Sequence, residues 1–236
     1  MKRLGILGGM GPAASAEFIN RLIQQTPASC DQEHIPFVLW NEPRTPDRSI
    51  SMRAGNDDPL PYLKEGILSL KSVGCDYIVI PCNSAHYWYD EMNKLGIPIL
   101  HIVDSVVDEL KCLDIDNQTI GVMGTQGTIE YGIYQNHLEN QGWKCIVPDK
   151  AEMDYFVQPA IHFIKAGNMV EANCLLVKVI DSLISRGASA VVLGCTELPL
   201  AVRELEQNSI PLVNSIDSLV KKAIVASKGV ISITST

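Results

Sequence analysis

The chain has 236 residues, 46% of them apolar, which supplies core for one large domain or for two lobes of about 115 residues each. A net charge of −8, with no basic cluster beyond Lys221-Lys222, excludes nucleic acid as the main partner, because phosphate neutralisation needs clustered Lys and Arg. The apolar start is too short for a secretory core, no stretch approaches a membrane span, and seven cysteines without a C-x-x-C pair point to free thiols in a reducing, cytoplasmic setting.

Short apolar runs alternate with helix-length periodic segments, which predicts βαβ units and parallel sheets. Leu4–Leu7 reads as the first strand, followed by a Gly8-Gly9-Met10-Gly11 turn and a helix opening at Pro12. Pro36–Trp40 is a second strand, and the polar, proline-bearing stretch Asn41–Asp58 a long loop. Pro59–Val73 is a helix with Leu60, Leu63, Ile67 and Leu70 at helical spacing. Asp76–Ile80 is a strand ending at Pro81-Cys82, Ser84–Leu95 a helix, and Pro98–Ile102 a strand. From Thr119 the order restarts: Gly121-Val122-Met123-Gly124 echoes Gly5-Ile6-Leu7-Gly8. A helix follows from about Thr128, then a strand at Lys144–Val147 and helices over Tyr155–Lys165 and Met169–Arg186. Ala188–Leu193 is the strand before Cys195, Ser215–Ala226 a last helix, and the residues after Lys228 a loose tail.

The restart is a duplication. Cys82 and Cys195 lie 113 residues apart, and the same offset pairs Gly74 with Gly187, Ile97-Pro98 with Ile210-Pro211, and Asp104-Ser105 with Asp217-Ser218. The expected fold is α/β with two pseudo-symmetric lobes, each a mostly parallel sheet flanked by helices. The first lobe takes residues 1–97 plus 212–236, the second 98–211, and the active site lies between them. Parallel sheets bind ligands beyond the carboxyl ends of their strands, and each copy ends such a strand in one thiol. Each thiol precedes polar residues, Asn83-Ser84 and Thr196-Glu197, near a helix start that should lower its pKa. A lone cysteine at a strand end is ordinarily packing. Two at equivalent places suit either redox closure of an S–S bond or proton transfer on opposite faces of one carbon. Cys30, Cys75, Cys112, Cys145 and Cys174 read as structural or incidental.

Pro81-Cys82-Asn83-Ser84-Ala85-His86 and Gly194-Cys195-Thr196-Glu197-Leu198-Pro199 resemble the two signatures of the cofactor-independent aspartate/glutamate racemases, and of their aspartate branch in particular. Gly5–Pro12 and the loop Asn41-Glu42-Pro43-Arg44-Thr45-Pro46-Asp47-Arg48 look like that branch as well. The resemblance runs from residue 4 to about 225; Ser84 departs from the family's more usual Thr but keeps the hydroxyl. It implies a two-base racemisation of aspartate by Cys82 and Cys195 without cofactor or metal, in a homodimer. Asn83, Ser84, Thr125, Thr128 and Thr196 would cradle the carboxylate where charge develops. Arg48 and Lys165 match the family's cationic contacts to an acidic side chain, although from local sequence alone both read as solvated surface residues. Met10 is expected to line the pocket, and Glu197 either to hold the substrate ammonium or to tune Cys195.

Other readings remain open at this point. Glutamate racemase, a broader amino-acid racemase, hydantoin racemase and isomerases of unsaturated diacids share the superfamily. A non-catalytic amino-acid-binding protein would need neither thiol. Gly9-Met10-Gly11-Pro12-Ala13-Ala14 with Glu42 fits a nicotinamide-binding pattern, but Pro12 removes an amide that a pyrophosphate would use. Lys165 as a pyridoxal-phosphate Schiff base lacks an accompanying phosphate site. The five histidines are scattered and fit no metal-ligand spacing; His86 reads as a hydrogen-bonded residue in a helix start, and Tyr87-Trp88-Tyr89 as a packing or dimer surface.

Overall fold

The computed structural model describes residues 1–113, 115, 118–202 and 210–228. The expected tail after Lys228 lies outside them. The first sheet has strand order β2-β1-β3-β4 and contains β1 (Leu4–Gly8), β2 (Phe37–Asn41), β3 (Tyr77–Val79) and β4 (Ile99–Leu100). The second repeats the order as β6-β5-β7-β8, from β5 (Thr119–Gly124), β6 (Lys144–Ile146), β7 (Ala190–Gly194) and β8 (Leu212–Asn214). All the strand pairings are parallel. β1 and β7 are buried along their whole length, as strands covered on both faces must be.

The order also places the crossings between lobes. Residues 99–100 pair in the first sheet and residues 212–214 in the second. Each crossing therefore follows the fourth strand, a few residues beyond the expected breaks at 97/98 and 211/212. A parallel strand must join its own sheet before the next helix can leave it. Helix α5 (Ile102–Leu110) makes the first crossing and α12 (Ser215–Lys228) the second. α12 lies back on the first lobe: Arg21 pairs with Asp217 at 2.5 Å, and Tyr77 Oη donates to the Ala223 carbonyl at 3.2 Å. One continuous apolar core joins Leu4, Ile6 and Ile78 to Tyr134, Val192 and Val213, so the lobes are packed together rather than hinged on a linker.

Three elements differ from expectation. The Asn41–Asp58 loop contains helix α2 (Arg48–Ala54), with Asp47 accepting the Ile50 amide at 2.9 Å and Gly55 in the left-handed conformation at its end. Such a cap and stop are sequence signals in their own right. Ser84–Leu95 is a 3-10 segment (Ser84–Trp88) running into a short helix, α4 (Tyr89–Asn93). Before α9 (Gln158–Lys165) the chain widens into a π turn over Met153–Val157, since Pro159 has no amide to bond back to Tyr155. The remaining helices are α1 (Pro12–Gln25), α3 (Leu60–Ser72), α6 (Gln126–Glu130), α7 (Gln135–Glu139), α8 (Lys150–Glu152), α10 (Met169–Ser185) and the single-turn α11 (Leu198–Ala201). Among the described residues no helix is long and apolar enough to cross a membrane.

Behind Cys82 sits a buried histidine. His86 Nδ1 donates to the Cys82 carbonyl at 2.9 Å and Nε2 accepts the Ile102 amide at 3.2 Å, which fixes a neutral tautomer. Burial holds His86, and with it His101, down to about 3 from the ordinary 6.5. An imidazole depressed in the folded state stabilises it above the unfolded pKa, and the contribution is lost as pH falls toward the folded value. Stability should therefore drop between pH 6.5 and 3, by about 1.4 kcal/mol per pH unit for each ring. Urea unfolding at pH 7.5 and 5 should differ by roughly 4 kcal/mol. An unchanged midpoint would mean that both rings take up protons in the fold as readily as in the unfolded chain.

Candidate active site

The carboxyl ends of β3 and β7 face one cleft between the lobes, of about 350 Å³ counting the space open to solvent. Its wall includes all eleven residues singled out from the sequence: Met10, Arg48, Cys82, Asn83, Ser84, Thr125, Thr128, Lys165, Cys195, Thr196 and Glu197. Asp47, Ser49 and Gly194 complete it. Both thiols are free, 4% exposed, and turned to this common space.

The two thiols differ in setting. Cys82 Sγ lies 3.5 Å from Ser84 Oγ. Cys195 Sγ donates to Glu197 Oε2 at 3.0 Å, and Thr196 Oγ1 donates to the same oxygen at 3.3 Å. Burial pushes the Cys195 thiol well above its ordinary value, and the Glu197 carboxylate raises it further, while Lys165 acts in the opposite sense. This reverses the expectation that helix dipoles lower the Cys195 pKa. α11 is a single turn and has little dipole to offer, so desolvation wins.

Two of the hydroxyls expected to cradle a carboxylate, those of Thr125 and Thr128, are already bonded to one another. Thr125 caps α6, taking the Thr128 amide at 3.3 Å; its Oγ1 lies 2.9 Å from Thr128 Oγ1 and accepts from Ser49 Oγ at 3.1 Å. Ser49 stands on α2 in the other lobe. Gly127 permits that contact, since a Cβ there would lie 2.3 Å from Met52 Cε and 3.0 Å from Ser49 Cα. Arg48 donates Nη1–H to the Thr45 and Pro46 carbonyls at 3.1 and 2.9 Å, and its Nε is buried without a partner. Lys165, at the end of α9, is exposed at the mouth.

Sequence reading missed the groups that hold the cysteines in place. Tyr134 is fully buried between α6 and α7. Its hydroxyl donates to Asn83 Oδ1 at 2.5 Å, Asn83 Nδ2 donates to Ser215 Oγ at 3.1 Å, and Ser215 Oγ donates to the Leu193 carbonyl at 3.0 Å. Its ring packs on Gly194, where a Cβ would come within 2.8 Å of Cε2. Tyr134 thus touches the residue after one cysteine and the residue before the other. No local pattern marks it, because all its partners are distant in sequence.

Elsewhere, Glu42 is not free for a ribose: Arg44 clamps its carboxylate through two hydrogen bonds of 2.8 and 2.6 Å and holds it at about 2. Tyr87 and Trp88 divide the aromatic run. Trp88 is buried and donates to Asp57 at 2.6 Å, whereas Tyr87 is exposed and meets Tyr131 of the other lobe edge-on. The fold also gathers His101, Asp104 and His137, with candidate ligand atoms within 4.8 Å of one another. His101 Nδ1 is committed there to the Val103 amide at 3.2 Å.

The model of the Asp/Glu/Hydantoin racemase family matches residues 7–223. The broad specificity amino-acid racemase RacX of Bacillus subtilis is 31% identical over 229 residues, covering 94% of this chain and 96% of that protein. The aspartate racemase of Picrophilus torridus superposes with a TM-score of 0.85 at 32% identity, covering 97% of this chain and 95% of that one. A glutamate racemase from Aquifex aeolicus is 32% identical over a shorter stretch, 66% of this chain and 59% of its own length. A twice-written strand-end thiol, one cleft shared by both copies and similarity along nearly the whole chain agree: this chain belongs to the Asp/Glu/hydantoin racemase family.

Proposed function

We propose that the protein is an amino-acid racemase acting on aspartate by a two-thiol mechanism. The observation that supports this most directly is the shared cleft of Cys82 and Cys195, which stand at equivalent positions of a duplicated unit. One thiolate takes the Cα proton, and the electron pair left on Cα delocalises into the α-carboxylate. The opposite thiol's S–H bond then breaks, and its proton reaches the other face. The pair ends with the same total of protons, exchanged between the sulfurs, and the reverse reaction restores it. Hydroxyls and amides around Thr125, Thr128, Ser84 and Thr196 stabilise the enediolate charge. The buried, unpartnered Arg48 Nε and the Lys165 ammonium favour a side-chain carboxylate.

Glu197 gives the site a reason to wait for substrate. Its carboxylate keeps the proton on Cys195. A substrate ammonium placed on Glu197 compensates that charge, so Cys195 ionises most readily when the cleft is filled. Glu197→Gln should therefore move the Cys195-dependent limb of the pH–rate profile to lower pH. Rates measured from both enantiomers across pH 6–10 check this, and an unmoved limb would separate Glu197 from the thiol.

A broad-specificity racemase is the second reading, favoured by the similarity to RacX. Seven free thiols support a cytoplasmic setting, and the resemblance to the aspartate branch supports a homodimer. The test is incubation of L- and D-aspartate separately in D₂O without added cofactor. Each should gain Cα deuterium while losing optical purity. Full retention of both proton and chirality would end the proposal.

A further inference from the structure

The cleft does not stop at its charged rim. Asp47, Arg48, Lys165 and Glu197 also border a second hollow of about 980 Å³ on the same open measure. Beyond that rim its wall is mainly carbon, from Pro12, Pro43, Ile164, Met169 and Leu200. We propose that this chamber receives long, unbranched apolar side chains, so that the enzyme also racemises amino acids such as norleucine; the inference rests on the two-thiol reading above.

Three features support it. The two hollows adjoin, because the same four rim residues line both. With Cα between the sulfurs and a short acidic side chain ending at Arg48 and Lys165, a longer side chain passes that point into the chamber. The glycine loop adds no side chain there and is not crowded: a Cβ built on Gly11 meets nothing nearer than Glu197 Oε1 at 3.6 Å. Finally, the cationic rim tolerates an apolar neighbour. Arg48 Nη1 is already held by the Thr45 and Pro46 carbonyls, its Nε is unpaired in the free protein as well, and Lys165 reaches water. A substrate without a side-chain carboxylate therefore strands no group that was satisfied before it bound. Each methylene moved from water into the chamber should tighten binding about fourfold.

The test follows Cα deuterium uptake and chirality for L-norleucine and L-aspartate, in D₂O, with the full-length protein. The wild type should exchange and invert both, and Cys195→Ala should stop the inversion of both, placing norleucine in the same cleft. Met169→Trp fills the chamber from an exposed position; it should cut norleucine turnover by about tenfold or more while leaving aspartate within about threefold. Leu200→Phe provides a second filling variant should the first lose aspartate activity through misfolding. If aspartate turns over and norleucine does not, or norleucine ignores both filling variants, the chamber proposal is overturned and the racemase reading stands. If neither substrate exchanges in the wild type, the racemase reading itself falls.

Discussion

Replacing either Cys82 or Cys195 with alanine is expected to lower aspartate racemisation by about 10²–10⁴-fold, the usual contribution of a positioned proton-transfer group. Alanine is smaller than cysteine and leaves the cleft open, so the loss should fall on turnover, with KM changed little. The two losses should not add in the double variant, because inversion requires both sulfurs in one sequence of steps. Each single variant keeps one thiol, and therefore the means of exchange on one face. Deuterium uptake with retained chirality in one of them would identify the surviving base. Unchanged racemisation in either single variant would remove the two-thiol mechanism, whatever the family. The variants should fold, because alanine removes a single sulfur atom from a buried position that also lines the cleft.

The second large effect is expected at a residue outside the cleft. Tyr134→Phe removes one hydroxyl and leaves Asn83 Oδ1 without its 2.5 Å partner in a fully buried place. Such an unpaired acceptor costs about 1–3 kcal/mol of stability. The catalytic effect should exceed what that loss explains. The hydroxyl ties the residue after Cys82 to a ring that packs on the residue before Cys195, so its loss frees the separation between the sulfurs. A misplacement of about 1 Å can cost about 10²-fold in rate. The expected result is a 10- to 100-fold fall in kcat, about twofold or less in KM, and a larger primary isotope effect with Cα-deuterated aspartate. A purely structural role would lower the folded fraction and leave the isotope effect where it was. An unaltered kcat in Tyr134→Phe would show that the Asn83–Ser215–Leu193 chain holds the gap without it.

The chain's own residues determined the repeat, its parallel strands and the identity of the cleft wall. Short, fully apolar runs such as Leu4–Leu7 and Ala190–Leu193, alternating with helix-length segments, read as strands covered on both faces, and an offset of 113 between equivalent motifs leaves two thiols at equivalent strand ends. Helix α2 was also legible, in Asp47 and Gly55, but its polar composition resembled a loop. Three-dimensional packing decided the rest. The acidity of Cys195 depends on how far burial and Glu197 outweigh one short turn of helix, a balance of distances with no trace in the order of residues. The crossings between lobes moved because β4 and β8 had to find hydrogen-bond partners before the chain could depart. Tyr134 became a strut only when the second lobe closed on the first and set its hydroxyl against a residue 51 positions earlier. Periodicity and motif report what a residue does with its neighbours in sequence; desolvation and contacts across a closed cleft arise from neighbours that only folding supplies.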